Sequence, residues 1–593
     1  MESIRCCYVG TIAEFLNEVE DQWLDKMVTN FKSLYEKFPF NEKDYEDYKK
    51  PENAGQKPNG QVGAWVDCFR VLQKILKDVE CPNTNYIIFE YKIPYEGGRR
   101  PDVLIVSSDK LLVLEFKQWE HYEKSHVDQL LGYARDLREY HVATRKRTVI
   151  PVLVLTTATE ISMRVKGAWV RSPDKFQIHC HSNQDFDIEQ WLESDYQPSL
   201  GMLTAARCLA KNKPLPEIRQ ALSAGIPEAM KALDHLVHLA YEQKKFILAF
   251  VTGVPGAGKT LLGLQLVYDE TEFPTLLVSG NDPLVDVLQY MLENKCLVSR
   301  VRNLMFEKRI NKNVVVFDEG QRAWSKEPQN FIDYMSNCLE WGFLLVLVGE
   351  GQSINTGEGE TLVPWKDALK LGWEVACPSK LNNIFCNAKF IEDKLDLTVS
   401  LRSHTAGYVS TFVNALVSGN LAKAKDLLRK IDSDDFSIYV TRDLDKAKRY
   451  CIDRYENEPY KHYGMITSAK GSFFRLPEIR SMSRANGKNE CGPWYVLDRG
   501  EKGSGKNLKK VATEFACQGL ELDMPIVCWN SDVLWKNDWK TLDDGDETKR
   551  NYRINTYRVL LTRGRDGMVI YIPDDRRFNA TYEVLREVGI EEL

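Results

Sequence analysis

Residues 253–260 read GVPGAGKT, and this octamer decides how the surrounding chain is expected to fold. It fits the P-loop spacing G-x-x-x-x-G-K-[ST], in which glycines allow backbone N–H groups to approach a phosphate. An apolar run at residues 246–251 precedes it, and residues 261–267 follow it with an apolar pattern typical of a helix. A strand that passes through a glycine-rich turn into the positive end of a helix predicts a nucleotide-binding site.

The spacing of the octamer also predicts what its residues contact. Lys259 is expected to reach the β- and γ-phosphates of ATP, and Thr260 is expected to hold Mg²⁺. The other phosphate contacts are expected from the backbone of Gly253, Pro255, Gly256 and Gly258.

A second apolar run, residues 314–317, ends in two adjacent carboxylates. This is the pattern of a buried strand that delivers acidic side chains to the same phosphate site. Asp318 is expected to bind the metal ion, and Glu319 is expected to orient or deprotonate the attacking water. An acidic turn after a strand is the alternative, but a glutamate beside the aspartate favours hydrolysis of the nucleotide over binding alone.

The bulk composition is that of a globular protein without a membrane span. Of the 593 residues, 43% are hydrophobic and 28% are charged. No run of 18 apolar residues and no signal-peptide pattern occurs, and the 14 cysteines include no C-x-x-C pair. A cytoplasmic protein with reduced thiols is therefore expected. The triplet HCH at residues 179–181 could bind a metal, but an alternating strand end is the simpler account.

The net charge of −6 does not exclude a nucleic-acid partner, because such a partner requires only local basic surface. Arg99-Arg100 and residues 145–147, RKR, are the candidates for this surface. Solvated charged faces are the alternative for each of them.

The first 200 residues have the pattern of a compact α/β unit. Helices are predicted over residues 11–38, 64–79 and 124–141. Strands are predicted over residues 86–91, 103–106, 111–116 and 149–155. Residues 40–62 are predicted to be a loop, and residues 184–217 a connector with a short helix.

A second stretch, residues 500–506, repeats the spacing G-x-x-x-x-G-K. Asn507 replaces the Ser or Thr of a P-loop, no buried strand precedes the stretch, and no apolar helix follows it. We therefore predict a surface loop here and not a phosphate site.

Stretches around the P-loop resemble the motifs of superfamily 1 helicases. Residues 276–284 resemble motif Ia, which touches the nucleic-acid backbone, and residues 345–352 resemble motif III, whose Gln352 senses the γ-phosphate. Glu350 stands where that family usually has aspartate. Residues 401–403, 513–521 and 559–565 resemble motifs IV, V and VI.

This resemblance implies three further residues of the ATP site. Glu521 of motif V is expected to contact the nucleotide, and Arg402 and Arg563 are expected to stabilise the charge that develops on the γ-phosphate. Because the arginines would arrive from a second lobe, their action would couple hydrolysis to closure of the two lobes. A surface ion pair is the alternative for either arginine alone.

The sequences of four stretches are more specific, and they resemble those of the helicase-like P-loop family shared with the C-terminal part of Schlafen proteins. These stretches are residues 318–324, 349–358, 514–523 and 557–564. The resemblance covers about residues 220–575.

The N-terminal part resembles PD-(D/E)XK nucleases. Residues 100–106, RPDVLIV, are followed by residues 111–117, LLVLEFK. Two adjacent strands would place Asp102 and Glu115 side by side, where they would hold Mg²⁺ or Mn²⁺. Because side chains alternate along a strand, Glu115 and Lys117 share one face, and Lys117 can position a water and stabilise developing charge.

Gln129 and Tyr133, on the next predicted helix, resemble the Q-x-x-x-Y that follows this core in many such nucleases. Asp67 or Glu90 is a candidate for a further acidic ligand. Surface ion pairs are the alternative for the acidic motif, and a nuclease fold that has lost its activity is another.

These observations predict an α/β protein with a restriction-endonuclease-like domain at 1–200 and two RecA-like parallel-sheet domains at 201–395 and 396–593. The expected function is an ATP-dependent helicase or translocase acting on DNA or RNA, coupled to a metal-dependent nuclease. The combination resembles bacterial nuclease–helicase immunity proteins that act against phage, and a companion defence protein is a possible partner. DNA repair is the rival setting. An ATP-gated switch or remodeller, with the N-terminal domain as a docking module, is the alternative function.

Overall fold

The computed structural model of the protein describes most of the chain, and the described residues form two compact units. The described residues are 5–35, 38, 40–50, 60–80, 83–178, 184–198, 202–210, 225–254, 256–269, 272–292, 297–307, 311–323, 326–349, 362–398, 404–431, 436–471, 480–481, 490–517, 519–543 and 545–593. Unit 1 consists of Met1–Pro198, Asp432–Ser437 and Lys448–Lys461. Unit 2 consists of Ser199–Ile431, Ile438–Ala447 and His462–Leu593.

Unit 1 is built on one mixed sheet with the order β1-β2-β3-β4-β5-β7-β6. Its strands are β1 Tyr8–Thr11, β2 Tyr86–Phe89, β3 Val103–Val106, β4 Lys110–Lys117, β5 Thr148–Leu155, β6 Ser162–Val165 and β7 Ala168–Arg171. Its helices are α1 Ile12–Leu16, α2 Glu20–Leu34, α3 Glu42–Lys49, α4 Gly60–Ile75, α5 Lys124–Tyr140 and α6 Ile188–Leu192. Neighbours from β1 to β4 are antiparallel, whereas β4, β5 and β7 run parallel.

The centre of this sheet is buried on both faces, which explains why the sequences of β3 and β4 are almost continuously apolar. On one face Ile105 and Leu112 pack with side chains from α2 and α4. On the other face Leu104 and Val113 pack with side chains from α5. The polar ends of β3 and β4 are therefore held by a rigid core.

Two expectations for the first 62 residues are wrong. The helix predicted over residues 11–38 is interrupted, because Asn17 caps α1 and Val19 has an extended backbone before α2 begins. The loop predicted over residues 40–62 contains α3, whose first turn is capped by the Asn41 side chain, which accepts a hydrogen bond from the Lys43 N–H.

Unit 2 contains two further sheets. The first has the order β10-β9-β11-β12-β8-β13-β14, with β15 paired to β8, and all of its pairs are parallel. Its strands are β8 Phe246–Gly253, β9 Thr275–Ser279, β10 Val298–Arg300, β11 Val314–Asp318, β12 Gly342–Gly349, β13 Trp373–Cys377, β14 Phe390–Ile391 and β15 Asp396–Leu397. The helices of this part are α7 Met202–Ala210, α8 Ile226–Glu242, α9 Lys259–Asp269, α10 Asp282–Leu292, α11 Val301–Glu307, α12 Glu327–Cys338 and α13 Val363–Asp367.

The second sheet of unit 2 has the order β18-β19-β17-β20-β23-β16-β24, and β21 and β22 form a separate hairpin. The strands are β16 Ser437–Thr441, β17 Tyr463–Thr467, β18 Arg480–Ser481, β19 Lys510–Thr513, β20 Met524–Cys528, β21 Val533–Trp535, β22 Trp539–Thr541, β23 Gly567–Tyr571 and β24 Glu591–Glu592. The helices are α14 His404–Val417, α15 Leu421–Leu428, α16 Leu444–Arg454, α17 Cys491–Val496, α18 Glu514–Cys517, α19 Glu547–Leu560 and α20 Asn579–Val588. The predicted α/β class with parallel RecA-like sheets is confirmed.

The predicted domain bounds stay predictions, but two features bear on them. The first parallel sheet continues through β15, past the expected boundary at residue 395. Lys448–Lys461 belongs to unit 1, although the chain on both sides of it belongs to unit 2. None of the described helices has the length and apolar character that crossing a membrane requires.

The stretch at residues 500–506 is only partly the surface loop that we expected. Lys506 is buried, and its ammonium group lies 2.8 Å from the Asp498 carboxylate. After Ser504 the chain forms only the single helical turn Gly505–Asn507. The stretch therefore lacks the helix N-terminus that a phosphate site requires.

Gly263 lies where α9 packs most closely on the first parallel sheet. A Cβ at this position would lie 2.8 Å from Val316 Cγ1 and 2.9 Å from Leu347 Cδ1. We expect Gly263→Ala to lower the thermal unfolding midpoint, because overpacking a buried contact costs about 1–3 kcal/mol. Gly407→Ala is the matched control in α14, where a Cβ would meet no atom within 4 Å. Equal midpoints for both variants in a calorimetric scan would contradict the packing argument.

Candidate functional site

The P-loop octamer joins the end of β8 to the start of α9, as its sequence predicts. Gly256 and Gly258 have φ angles of +78° and +87°, in the left-handed region that favours glycine. A Cβ at Gly253 would lie 2.6 Å from the carbonyl oxygen of Leu397. The backbone geometry therefore requires glycine at three positions of the octamer. Pro255 lies outside the described residues.

The polar side chains of the octamer converge at the carboxyl ends of β8 and β11. The Lys259 ammonium group donates to the carbonyl oxygens of Gly253 at 2.8 Å and Val254 at 3.0 Å. The Thr260 hydroxyl donates to Asp318 Oδ1 at 3.0 Å. The structure thus brings together Lys259, Thr260 and Asp318, which lie 59 residues apart from first to last in the sequence.

Asp318 is the most strongly perturbed group at this site. Burial, and after it the neighbouring Glu319, raise the pKa of its carboxyl to about 7, against the hydrogen bonds of Thr260 and Ser279. A divalent cation favours the ionised carboxylate, so Mg²⁺ and a proton compete for this side chain. A hydroxyl and a carboxylate are oxygen ligands of the kind that Mg²⁺ takes.

Glu319 is held by a residue to which the sequence analysis gave no role. Its backbone has a φ of +57°, and its carboxylate accepts a hydrogen bond from Gln321 Nε2 at 2.6 Å. The Gln321 carbonyl oxygen in turn accepts from the Gly349 N–H at 2.9 Å. Gln321 therefore links Glu319 to the end of β12, and its place in the 318–324 stretch was the available signal.

Two more residues at this edge of the sheet were missed. Ser279, at the end of β9, donates to Asp318 Oδ2 at 3.3 Å. Asp396 accepts a hydrogen bond from Thr252 at 2.7 Å and fixes β15 against β8 beside the octamer. Asp396 comes more than 130 residues after the P-loop, and no local pattern marks it.

The second sheet carries the remaining motif residues that are described. Arg563 follows α19, and its guanidinium donates to the Val559 carbonyl at 2.9 Å and to the Thr562 hydroxyl at 3.3 Å. The Glu521 carboxylate lies 3.8 Å from Arg565 Nε. Gln352 and Arg402 lie outside the described residues.

The stretches that resemble motifs Ia and V meet in unit 2. Gly519 has a φ of +72°, and a Cβ there would collide with the Asn281 side chain. Gly492 in α17 approaches α10 in the same way, because its Cβ would lie 2.6 Å from Tyr290 Cβ. Both contacts join the part of the chain around α10 to the part around the second sheet.

In unit 1, the predicted acidic residues lie at the shared end of β3 and β4. Val103 pairs with Leu114, and continuing this antiparallel register by one residue sets Asp102 opposite Glu115. The Asp102 carboxylate accepts a hydrogen bond from the Phe116 N–H at 2.8 Å. Lys117 Nζ lies 3.1 Å from Glu115 Oε1. The structure thus brings together Asp102, Glu115 and Lys117.

The Asp102 and Glu115 carboxyl groups are both buried, and each disfavours ionisation of the other. Burial raises the pKa of Asp102 well above its ordinary value, and Glu115 raises it further. Burial also raises the pKa of Glu115, against the attraction of Lys117. Burial alone would lower the pKa of Lys117, but the two carboxylates raise it, so this side chain remains a cation at neutral pH.

The site fits a divalent cation held by two protein carboxylates. Glu115 Oε2 and Gln129 Oε1 are buried acceptors without a hydrogen-bond partner in the described part of the chain. Over the same residues, no group of three or more His, Cys, Asp or Glu side chains has an arrangement that could hold a metal. Mg²⁺ commonly binds through one or two carboxylates and keeps several waters, so the pair is sufficient.

The other candidates around this pair have different partners. Gln129 Nε2 lies 3.3 Å from the Tyr133 hydroxyl on α5. Asp67 accepts a hydrogen bond from Thr156 at 2.6 Å. The Glu90 carboxylate accepts from Trp65 Nε1 at 2.7 Å and is paired with Arg100. Glu90 is therefore engaged by partners in the core, and its charge contributes to the raised pKa of both Asp102 and Glu115.

The expectation that Arg99-Arg100 forms basic surface is wrong. Both side chains are buried, at 2% and 9% exposure, because each has carboxylate partners within unit 1. Arg145 and Arg147, from the second predicted patch, are partly buried and donate to backbone carbonyls of Glu139 and Ser107.

Two parallel sheets, a P-loop between a strand and a helix, and an aspartate at the end of another strand of the same sheet define a P-loop protein of the helicase-like class. The family described as "Schlafen group 3, DNA/RNA helicase domain" matches residues 247–574, more than half of the chain. The chain belongs to this family, and the Schlafen resemblance inferred from the sequence is confirmed over that range. The N-terminal carboxylate site lies outside it.

Solved structures of helicases are similar to this chain at low identity. An arterivirus nonstructural protein 10 helicase in complex with DNA has 13% identity, 61% coverage of this chain, 67% coverage of that chain and a TM-score of 0.23. The Hef helicase domain of Pyrococcus furiosus has 11% identity, coverages of 59% and 97%, and a TM-score of 0.21. A Pif1 helicase structure has 10% identity, coverages of 60% and 97%, and a TM-score of 0.26. No curated protein matches the chain.

Proposed function

We propose that this protein is an ATP-driven nucleic-acid motor joined to a metal-dependent nuclease, in which the motor supplies or licenses the nucleic acid that the nuclease cuts. The observation that carries the proposal is the buried Asp102–Glu115 pair with Lys117 beside it, in a chain that also has a helicase-like domain. A buried pair of like charges lowers the stability of the fold. Such pairs are typical of functional sites, and metal binding is a function that this pair fits.

In the motor, Thr260 and Asp318 would hold Mg²⁺, which neutralises charge on the phosphates when it is bound with ATP. Lys259 and the N–H groups of the octamer would contact the β- and γ-phosphates. Glu319, fixed by its hydrogen bond from Gln321, would align a water with the γ-phosphate and accept its proton. Arg563, and Arg402 with it, would stabilise the charge that develops as the phosphoryl group leaves.

In the nuclease, Asp102 and Glu115 would hold Mg²⁺ or Mn²⁺, which polarises the scissile phosphate when it is bound. Lys117 is protonated at neutral pH, so it would stabilise negative charge on the phosphate and orient the attacking water through its N–H groups. Gln129, with its unpartnered acceptor, would help to align that water.

The test uses the purified full chain with single- and double-stranded DNA, or the corresponding RNAs, in Mg²⁺ with and without ATP. Lys117→Ala and Lys259→Ala are assayed beside it. Cleavage that is lost in the first variant and altered in the second supports a nuclease coupled to a motor. Nucleic-acid-stimulated ATP hydrolysis without cleavage or strand displacement would replace the proposal with an ATP-gated switch whose N-terminal domain docks nucleic acid.

Arg563 offers a test of the motor half alone. We expect Arg563→Ala to lower the turnover number for ATP by about 10³-fold or more while ATP binding changes little, because an arginine finger acts on the transition state. Arg563→Lys should not restore turnover, since lysine lacks the planar guanidinium fork. Arg577→Ala, which removes an exposed arginine paired with Asp575, is the matched control. Equal losses of binding and turnover would mean that Arg563 is not an arginine finger.

We further propose defence against phage as the biological setting, from the combination of the two activities in one chain. Phage plaque formation on bacteria that express the protein or Lys117→Ala tests this proposal. Unchanged plaque numbers together with better survival of DNA damage would favour the repair setting instead.

A further inference from the structure

Residues 448–461, which we call the inserted segment, bring charged side chains into the interior of unit 1. The segment contains most of α16 and the turn that follows it. Arg454 and Glu458 are its most deeply buried charged members, at 4% and 3% exposure. Charged side chains are almost never this buried unless they are paired, and their partners lie on or next to α5, the helix that carries Gln129 and Tyr133.

The first set of partners surrounds Asp128 at the start of α5. Its carboxylate accepts a hydrogen bond from the Tyr450 hydroxyl at 2.6 Å and is paired with Lys166. Arg454 Nη1 donates to the same hydroxyl at 2.7 Å. Burial alone would raise the pKa of Asp128, but Lys166 and Arg454 hold it below its ordinary value, so the carboxylate is ionised between two cations.

The second set surrounds Arg99 and lies nearer to the carboxylate pair. Arg99 Nε lies 2.9 Å from Glu458 Oε2, and another nitrogen of the same guanidinium is paired with Asp136 of α5. The guanidinium also lies 4.7 Å from the centre of the Tyr133 ring. A Cβ at Gly132 would lie 2.5 Å from Arg99 Nη2, so the arginine is pressed against the backbone of α5.

This second set is within electrostatic reach of the candidate nuclease residues. After burial, Glu458 and Glu115 are the largest causes that raise the pKa of Tyr133. Glu458 also contributes to the raised pKa of Glu115. Tyr133 is the hydrogen-bond partner of Gln129, so one chain of contacts runs from Glu458 through Arg99 and Tyr133 to Gln129.

We propose that Glu458 is a positioning residue for the Asp102–Glu115 site, and that this site is complete only when the inserted segment holds Arg99 against α5. The expected effect on cleavage rests on the proposed nuclease function, whereas the expected effect on the order of α5 does not. It follows that residues 1–200, separated from the rest of the chain, lack part of the wall that orders Gln129 and Tyr133. Glu458 itself touches neither metal nor substrate.

The test is made on the full chain with Glu458→Gln, which keeps the shape of the side chain and removes its charge. Glu456→Gln is the matched control for hydrogen exchange, because Glu456 is an exposed glutamate of the same segment; its charge acts on Lys117, so it does not serve as a control for cleavage. We expect amide hydrogen exchange over residues 124–140 to become at least about 10-fold faster in Glu458→Gln and to stay unchanged in Glu456→Gln. We also expect the turnover number for cleavage to fall about 10-fold or more, with KM for nucleic acid and ATP turnover unchanged.

Two further variants keep the proposal open to contradiction. Tyr450→Phe removes only the hydroxyl that bonds Asp128, and it should speed exchange at the start of α5 even if Glu458→Gln folds poorly. Glu458→Asp keeps the charge at a shorter reach and should restore part of the lost cleavage. If exchange over α5 is the same in Glu458→Gln and Glu456→Gln, the positioning role is wrong. If exchange changes as expected but the unmutated protein cuts nothing, the inference stands and the nuclease proposal falls.

Discussion

Lys259→Ala is expected to abolish ATP turnover. Lys259 is the first residue of α9, and its ammonium group lies within the octamer, 2.8 Å from the Gly253 carbonyl oxygen. Alanine would remove a flexible cation that can follow charge on the β- and γ-phosphates. Losing a single donor of this kind commonly lowers turnover about 10²–10³-fold, and steady-state phosphate release with nucleic acid present measures it.

The control separates the chemistry from the fold. Lys370→Ala removes a half-exposed lysine that is paired with Asp333 in the same part of unit 2, and ATP turnover should be unchanged. The hydrogen bond between Thr260 and Asp318 does not involve Lys259, so the thermal midpoint of Lys259→Ala should stay close to that of the unmutated protein. Hydrolysis that persists in Lys259→Ala would overturn the P-loop assignment.

The P-loop could be predicted from sequence because its requirements are local. Gly256 and Gly258 adopt backbone angles that other residues rarely tolerate, and Lys259 follows them directly at the helix start. The order of the strands could not be predicted in the same way. β8 lies between β12 and β13, and this order depends on packing among strands that are separated by more than 90 residues.

The carboxylate pair itself could be predicted from the sequence, but its surroundings could not. Asp102, Glu115 and Lys117 fall within 16 residues and carry a recognisable spacing. Glu458 follows Arg99 by more than 350 residues, and nothing near it in the sequence points to Arg99. Without knowledge of that partner, an Arg-Arg dipeptide suggests basic surface. The expectation for Arg99-Arg100 failed because a charge can be buried only beside its partners, and Glu458 is distant in the sequence.

Lys117→Ala is expected to abolish nucleic-acid cleavage and to spare ATP turnover, because Lys117 lies in unit 1 and the P-loop lies in unit 2. The loss should be about 10²-fold or more, since a cation beside the scissile phosphate is removed. Lys110→Ala is the matched control at the other end of β4, and it should cut normally. Normal cleavage by Lys117→Ala would place the nuclease site elsewhere.

Asp102→Asn is expected to remove cleavage in the same way, but with the opposite effect on stability. Folding raises the pKa of this carboxyl, so the protein loses stability as the pH rises above the unfolded pKa, and at pH 7 to 8 this cost is present. Asparagine removes the repulsion from Glu115, and its carbonyl oxygen can still accept the Phe116 N–H. Without divalent ions, the thermal midpoint should therefore stay equal or rise. A carboxylate that costs stability and is needed for cleavage is retained for its chemistry; a lowered midpoint with cleavage intact would instead make Asp102 a structural residue.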